Sequence, residues 1–163
     1  MSKKSINKLV FAALVATAIP AAPSLADDKS FLDEAMKGDN AEVALGRLAE
    51  RKGASEEVRH FGRQLAADHA KAKKQVVAVA RKLKIPDTDA IPDEAIEEKT
   101  KLGKLSGTDF DKEFAAYMVK DHEEDIQKFE KEANEGTGKV AELAKETLPK
   151  LREHLKTAQS LQK

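Results

Sequence analysis

The chain has 163 residues with 29 basic and 29 acidic side chains, no cysteine, no tryptophan and 4% aromatic residues. The lack of cysteine excludes disulfides, thiolate metal sites and thiol catalysis, and the balanced charge gives no electrostatic case for nucleic acid or an anionic membrane as partner. A chain rich in Ala, Leu, Lys and Glu with so few aromatics has the composition of a helical protein with an aliphatic core.

Lys3, Lys4 and Lys8 precede an apolar run from Leu9 to Ile19, Pro20 ends the run, and Ser24-Leu25-Ala26 places small residues where a signal peptidase reads. This pattern predicts a signal peptide over 1–26, cleaved after Ala26, and a single periplasmic domain over 27–163. An apolar run of about eleven residues is too short to span a bilayer, which takes about 20. No membrane span is expected in the mature chain.

Ser30, with Asp33 three residues on, reads as a helix start, and Gly38-Asp39-Asn40 as an interruption. Beyond it Ala41, Ala44, Leu45, Leu48 and Ala49 share a face that Gly53 closes. Glu42 lies beside that face, so its carboxylate points at a boundary or at the interior. The second helix, Ser55 to Leu83, carries the stripe Val58, Phe61, Leu65, His69, Ala72, Val76, Val79 and Leu83 at steps of three or four. Ser55 suits its N-cap, with Glu56 and Glu57 following and Arg81, Lys82 and Lys84 at the far end. The short turn around Gly53 makes the two helices antiparallel neighbours.

The stretch from Ile85 to Gly107 is irregular, marked by Pro86, Pro92 and Gly103, with a short helix expected from Asp93 to Leu105. Its length permits a ferritin-like order with a crossover from one end of a bundle to the other, with simple up-and-down order also open. Thr108 or Asp109 is placed to cap a third helix whose buried face is Phe110, Phe114, Met118, His122, Ile126, Phe129 and Ala133. After the turn Glu135-Gly136-Thr137-Gly138, a fourth helix carries Val140, Ala144, Leu148, Leu151, Leu155, Ala158 and Leu161, with His154 beside the stripe. Pro149 within it predicts a kink or break near Lys145. The expected fold is all-α, a single four-helix bundle with a long connector between helices 2 and 3.

Four histidines divide by periodicity. His60 is rotated about 100° from Phe61 and so faces solvent. His69 and His122 each lie fourteen residues after their helix starts, Ser55 and Thr108, and His154 lies somewhat past the middle of its helix. In a bundle in register, Glu42, His69, His122 and His154 converge at one level, one from each helix. Imidazole and carboxylate donors without thiolate suit zinc, copper(II), nickel or iron(II), and bundle interiors are where helical proteins build such sites. The alternative is a metal-free structural or interaction module, its imidazoles satisfied by Glu42, Asp68 or Asp121 and by each other. The Glu-x-x-His pairs of di-iron bundles are absent, Asp125 being the one carboxylate at such a spacing from a site histidine, so a redox metalloenzyme ranks third. Tyr117 and Met118 lie near His122, where a core role suits them better than a role in tuning a metal. No phosphate loop, His-Glu-x-x-His or nucleophile elbow is present, and no catalytic residue is assigned.

The runs Glu42-Val43-Ala44-Leu45-Gly46-Arg47-Leu48-Ala49, Val58-Arg59-His60-Phe61 leading to Asp68-His69, Phe110-Asp111 leading to Met118-Val119-Lys120-Asp121-His122, and Leu148-Pro149-Lys150-Leu151-Arg152-Glu153-His154-Leu155 resemble the bacterial domain-of-unknown-function family 4142. The resemblance covers essentially the whole mature chain. It implies an exported ferritin-like bundle in which Glu42, His69, His122 and His154 occupy signature positions, and it supplies no activity. The family's frequent outer-membrane label does not fit a barrel, whose strands need about nine to eleven alternating residues. The expectation is a periplasmic binding or stress-protective module holding one divalent transition metal (zinc, copper or iron), with a protein partner or homodimer left open. Acid competition for histidine ligands is expected near pH 6.5.

Overall fold

The computed structural model describes residues 25–162. The segment read as a signal peptide lies outside the described residues as far as Ser24. Among the described residues five helices make up the regular structure: α1 (Leu25–Lys52), α2 (Glu56–Lys82), α3 (Asp93–Lys104), α4 (Gly107–Glu135) and α5 (Gly138–Leu161). The long helices α1, α2, α4 and α5 form the bundle, and α3 is the helical part of the connector. Among the described residues no helix is long and apolar enough to cross a membrane.

Chain direction is fixed by polar contacts at the helix ends. Ser55 caps α2 by accepting from the Val58 N–H at 3.2 Å, as its position in the sequence predicts. The N–H groups of Ala54 and Ser55 both donate to the Asp111 carboxylate at 2.8 Å. Asp111 is the fifth residue of α4, so α2 and α4 start at the same end and run parallel. The connector must then travel the length of the bundle, and its contacts trace that path. The Asn40 amide donates to the carbonyls of Thr88 and Ala90 at 3.0 and 2.9 Å, and the Lys52 ammonium donates to the Gly103 carbonyl at 2.6 Å. Leu102, fully buried, seats α3 in the core.

Four local expectations differ from the structure. α1 is already helical at Leu25, so Ser30 sits inside it, its hydroxyl bonded to Glu34 at 3.2 Å. Gly38-Asp39-Asn40 does not interrupt α1, because each residue has a tertiary role there: Gly38 faces Asp125, Asp39 is buried against His69, and Asn40 holds the connector. α4 begins at Gly107 after Ser106, not at Thr108 or Asp109, with Gly107 at a φ of 61° that glycine takes without strain. Pro149 leaves α5 unbroken. Lys145, whose carbonyl Pro149 cannot serve, is exposed and open to water.

The core is two apolar halves separated by one polar layer. One half contains Leu45, Phe61, Leu65, Phe114, Met118 and Ala158; the other contains Leu32, Met36, Val76, Phe129, Leu148 and Leu151. Between them each long helix places polar side chains in the layer: Asp39 and Glu42 on α1, His69 on α2, His122 on α4 and His154 on α5, all buried. These are the buried polar or charged side chains among the described residues.

The α1–α2 hairpin is close-packed through a glycine pair. A Cβ on Gly46 would lie 2.6 Å from the Gly62 carbonyl oxygen, and one on Gly62 would lie 2.6 Å from the Gly46 oxygen and 2.7 Å from the Glu50 nitrogen. Backbone cannot yield as a side chain does, so Gly62→Ala is expected to lower unfolding free energy by about 1–3 kcal/mol or more through overpacking. Gly103, with nothing within 4 Å of its Cβ direction, is the control: Gly103→Ala should be neutral or stabilising by up to about 1 kcal/mol. Urea melts of the two variants check both, and a Gly62→Ala protein as stable as the parent would contradict the close crossing.

Candidate metal centre

The parallel course of α2 and α4 brings His69 and His122 level, and the turn at Gly136 returns α5 so that His154 completes a triangle. The three ring centroids are 5.3 to 5.8 Å apart. One nitrogen from each ring lies within 4.8 Å of the other two.

A neutral imidazole has one N–H and one lone pair, and the surroundings decide which nitrogen carries which. His122 Nδ1 lies 3.0 Å from the Met118 carbonyl, which can only accept, so Nδ1 carries the proton and Nε2 the lone pair. His154 Nε2 lies 3.0 Å from Asp68. Despite the cost of its partial burial, Asp68 is held below the usual carboxylate range by that bond and by Lys150, so it accepts and His154 Nδ1 is the lone pair. His69 Nδ1 meets Asp39 at 2.9 Å, and its Nε2 is buried without a hydrogen-bond partner. Each outer nitrogen is thus engaged, and the inner ones face each other. His122 Nε2 and His154 Nδ1 stand 3.4 Å apart, two acceptors with no proton between them.

Glu42 closes the α1 side. Both its oxygens are buried without a hydrogen-bond donor, and Oε2 lies 4.0 Å from His69 Nε2. Oxygen and nitrogen atoms of Glu42, Asp121 and His122 form a second set within 4.8 Å of one another. Burial first, and then the charges of Asp121, Asp125 and Asp39, push Glu42 well above the ordinary carboxylate range. Burial likewise raises Asp39 against the pull of Lys73. Burial and Asp121 raise Asp125 to about 7, against the pull of Lys128. The rings move the other way: burial lowers His69 to about 4, burial and the neighbouring His69 lower His122 to about 3, and burial lowers His154. Around the layer, Asp39, Glu42, Asp68, Asp121 and Asp125 outnumber Lys73, Lys128 and Lys150.

The four residues singled out from the sequence therefore meet, and His60 is exposed as periodicity requires. Sequence reading missed Asp39, the partner of His69, because it sits in a tripeptide of turn-like composition. The signal was present: Asp39 follows Met36 by three residues and precedes Glu42 by three, in step with the Leu32–Met36 stripe. Met118 contributes its backbone carbonyl while its side chain belongs to an apolar half of the core, and Tyr117 packs against that half.

A family model described as a domain of unknown function, DUF4142, matches residues 14–161. The chain belongs to this family. The fold of this DUF4142 protein is similar to the crystal structure of a DUF305 fragment from Deinococcus radiodurans, with a TM-score of 0.74 at 14% identity, over 88% of this chain and 98% of that one. At that identity the likeness concerns the fold alone. No curated protein matches the DUF4142 chain.

Protonation follows from the geometry. An unfolded histidine titrates near 6.5, whereas His69 and His122 titrate near 4 and 3 in the fold. The unfolded chain takes up these protons first, so the stability held by the neutral rings is complete above about pH 6.5 and is lost as pH falls toward 4 and 3. Asp39, Glu42 and Asp125 have the opposite sign: with raised values the folded form takes up their protons first and gains stability as pH falls. In the metal-free protein at about pH 8, long-range ¹H–¹⁵N NMR is expected to find all three rings neutral, with Nδ1–H on His122 and Nε2–H on His154. An imidazolium at any of the three, or the reverse tautomer at His122 or His154, would contradict the site.

Proposed function

We propose that this protein binds one divalent transition metal ion through His69 Nε2, His122 Nε2 and His154 Nδ1, with a Glu42 oxygen as fourth ligand. The single observation that carries the reading is the convergence of three ring nitrogens, those of His122 and His154 left as lone pairs by their outer partners. Two lone pairs at 3.4 Å repel unless a cation lies between them, and 3.4 Å is close to the edge of a tetrahedron with metal–nitrogen bonds of about 2.0–2.1 Å. The outer hydrogen bonds to Asp39, Asp68 and the Met118 carbonyl are what a ligating imidazole receives from its surroundings, fixing its tautomer and raising its basicity. The surrounding carboxyl groups, giving up their protons as the ion binds, supply the charge that a buried divalent ion requires. Neutral nitrogens with one carboxylate and no sulfur suit zinc, copper(II) or iron(II).

The role that fits is holding or buffering such an ion rather than turnover, since every candidate ligand comes from a packed helix and the four donors already fill a tetrahedral shell. The N-terminal basic and apolar pattern further supports export to the periplasm, where the domain would act in metal handling or envelope stress. The second reading, a metal-free polar layer that fixes helix register, has in its favour that each ring already makes one good hydrogen bond.

Zinc titration calorimetry separates the two. His69→Ala with His122→Ala is expected to weaken affinity by on the order of 100-fold or more, about 2.7 kcal/mol, and Asp68→Asn by about 10–100-fold. A parent protein that ignores zinc, copper and iron would leave only the structural reading. Burial also moves the acid limit expected from sequence. With His69 titrating near 4 and His122 near 3, protons compete for these two rings only below about pH 5, while competition above that reports Glu42, whose carboxyl is raised, and His154, which burial lowers. Affinity in Glu42→Gln should therefore fall by no more than one proton's worth, about tenfold per pH unit, between about pH 6.5 and 5, and a steeper fall in that variant would count against buried neutral ligands.

A further inference from the structure

The histidine layer is sealed on most sides but not on all. Beside His69 the four long helices enclose a cavity of about 40 Å³, room for a few waters. Phe31, Val76, Phe129 and Leu151 make much of its wall, and Phe31 meets Phe129 edge to face with centroids 4.9 Å apart. Its polar groups are graded from outside to inside. Glu34 and Lys128 are exposed, Asp125 is mostly buried, and Asp39 and His69 are buried. The surface grooves along α3 and along the α1–α2 hairpin touch none of the three layer histidines.

Asp125 is the group that the metal-binding reading leaves without a task. It belongs to neither set of converging ligand atoms, yet it stands in the cavity wall with its charge felt at Glu42. Gly38 lies against it: a Cβ there would sit 3.8 Å from Asp125 Oδ2, in ordinary contact. Its partner Lys128 is held loosely, at 3.3 Å, with about half of the lysine side chain in solvent. A divalent ion entering an apolar passage loses hydration worth many kcal/mol unless oxygen ligands replace its waters on the way. A carboxylate inside the passage lowers that barrier, and an ammonium on the same carboxylate raises it.

We propose that this cavity is the port by which a divalent cation reaches the histidine layer, with Asp125 as the carboxylate that captures the ion and Lys128 as the ammonium it displaces. The proposal rests on the metal-binding reading above. In passage the ion exchanges waters for an Asp125 oxygen, moves past Asp39, and is delivered to His69 Nε2 and the two facing nitrogens. Glu34, at the rim, adds to the field that draws the cation in.

Stopped-flow mixing of the purified protein with Co²⁺, followed by its visible ligand-field absorption, tests this. Asp125→Asn is expected to slow association and dissociation together, each by about tenfold, with affinity changed by less than about threefold, while Lys128→Ala speeds both. A port alters rates in both directions, whereas a ligand alters affinity. Unchanged association in Asp125→Asn would overturn the port, as would a loss of affinity expressed wholly as faster dissociation. His69→Ala provides the separate control, since it should remove the absorption in every background. A parent protein that gives no absorption with Co²⁺ and binds none by equilibrium dialysis would refute the metal site itself, a different result from a site that fills at the same rate without Asp125.

Discussion

Each buried imidazole has one proton to place, and in this bundle the placement is made from outside the layer. A backbone carbonyl takes the His122 proton, Asp68 takes that of His154, and Asp39 engages the outer nitrogen of His69. What remains points inward. The chemistry of the layer is therefore set less by the three rings than by the groups behind them, which convert a cluster of ambivalent donors and acceptors into a set of lone pairs aimed at one volume. Glu42, buried with no donor for either oxygen, has the same character. Such a layer is costly to leave empty, because repelling acceptors and a stranded carboxyl are then held together by the packing on either side.

That packing depends on helix direction. The Asp111 carboxylate holds the first N–H groups of α2 at the start of α4, so the two helices run parallel and equal distances from their starts bring His69 and His122 to one height. An up-and-down bundle with a short link between α2 and α4 would have placed them by a different rule. The connector pinned by Asn40 and Lys52 is the covalent consequence of the parallel arrangement. The glycine pair Gly46 and Gly62 brings α1 against α2 at backbone contact, which carries Asp39 within reach of His69. Fold and site are thus coupled through a few named contacts, each visible as a departure from ordinary helix chemistry.

Much of this was legible in the amino-acid sequence. Stripe periodicity is a strong signal over helices of this length, and it located the bundle, the connector and three inward histidines, while separating out His60. What it could not resolve were features decided by tertiary contact. Gly38-Asp39-Asn40 has the composition of a turn, and only a neighbour at each residue makes helix the better state. The N-cap of α4 falls at Ser106, two or three residues before Thr108 or Asp109, which is ordinary for helix ends. Pro149 lies where solvent can serve the carbonyl it abandons. Tautomers and shifted titration are likewise properties of surroundings: the ordinary histidine value near 6.5 applies in water, and burial carries His69 and His122 far from it.

The central claim is that three neutral imidazole nitrogens and one carboxylate oxygen converge on a single ion. X-ray absorption of the zinc-loaded protein addresses it directly. The account predicts a four-coordinate shell of three imidazole nitrogens and one oxygen at about 2.0–2.1 Å, with the outer-ring scattering of histidine. An oxygen-dominated six-coordinate shell, or one with fewer than three imidazoles, would place the ion elsewhere and return the layer to a purely structural role.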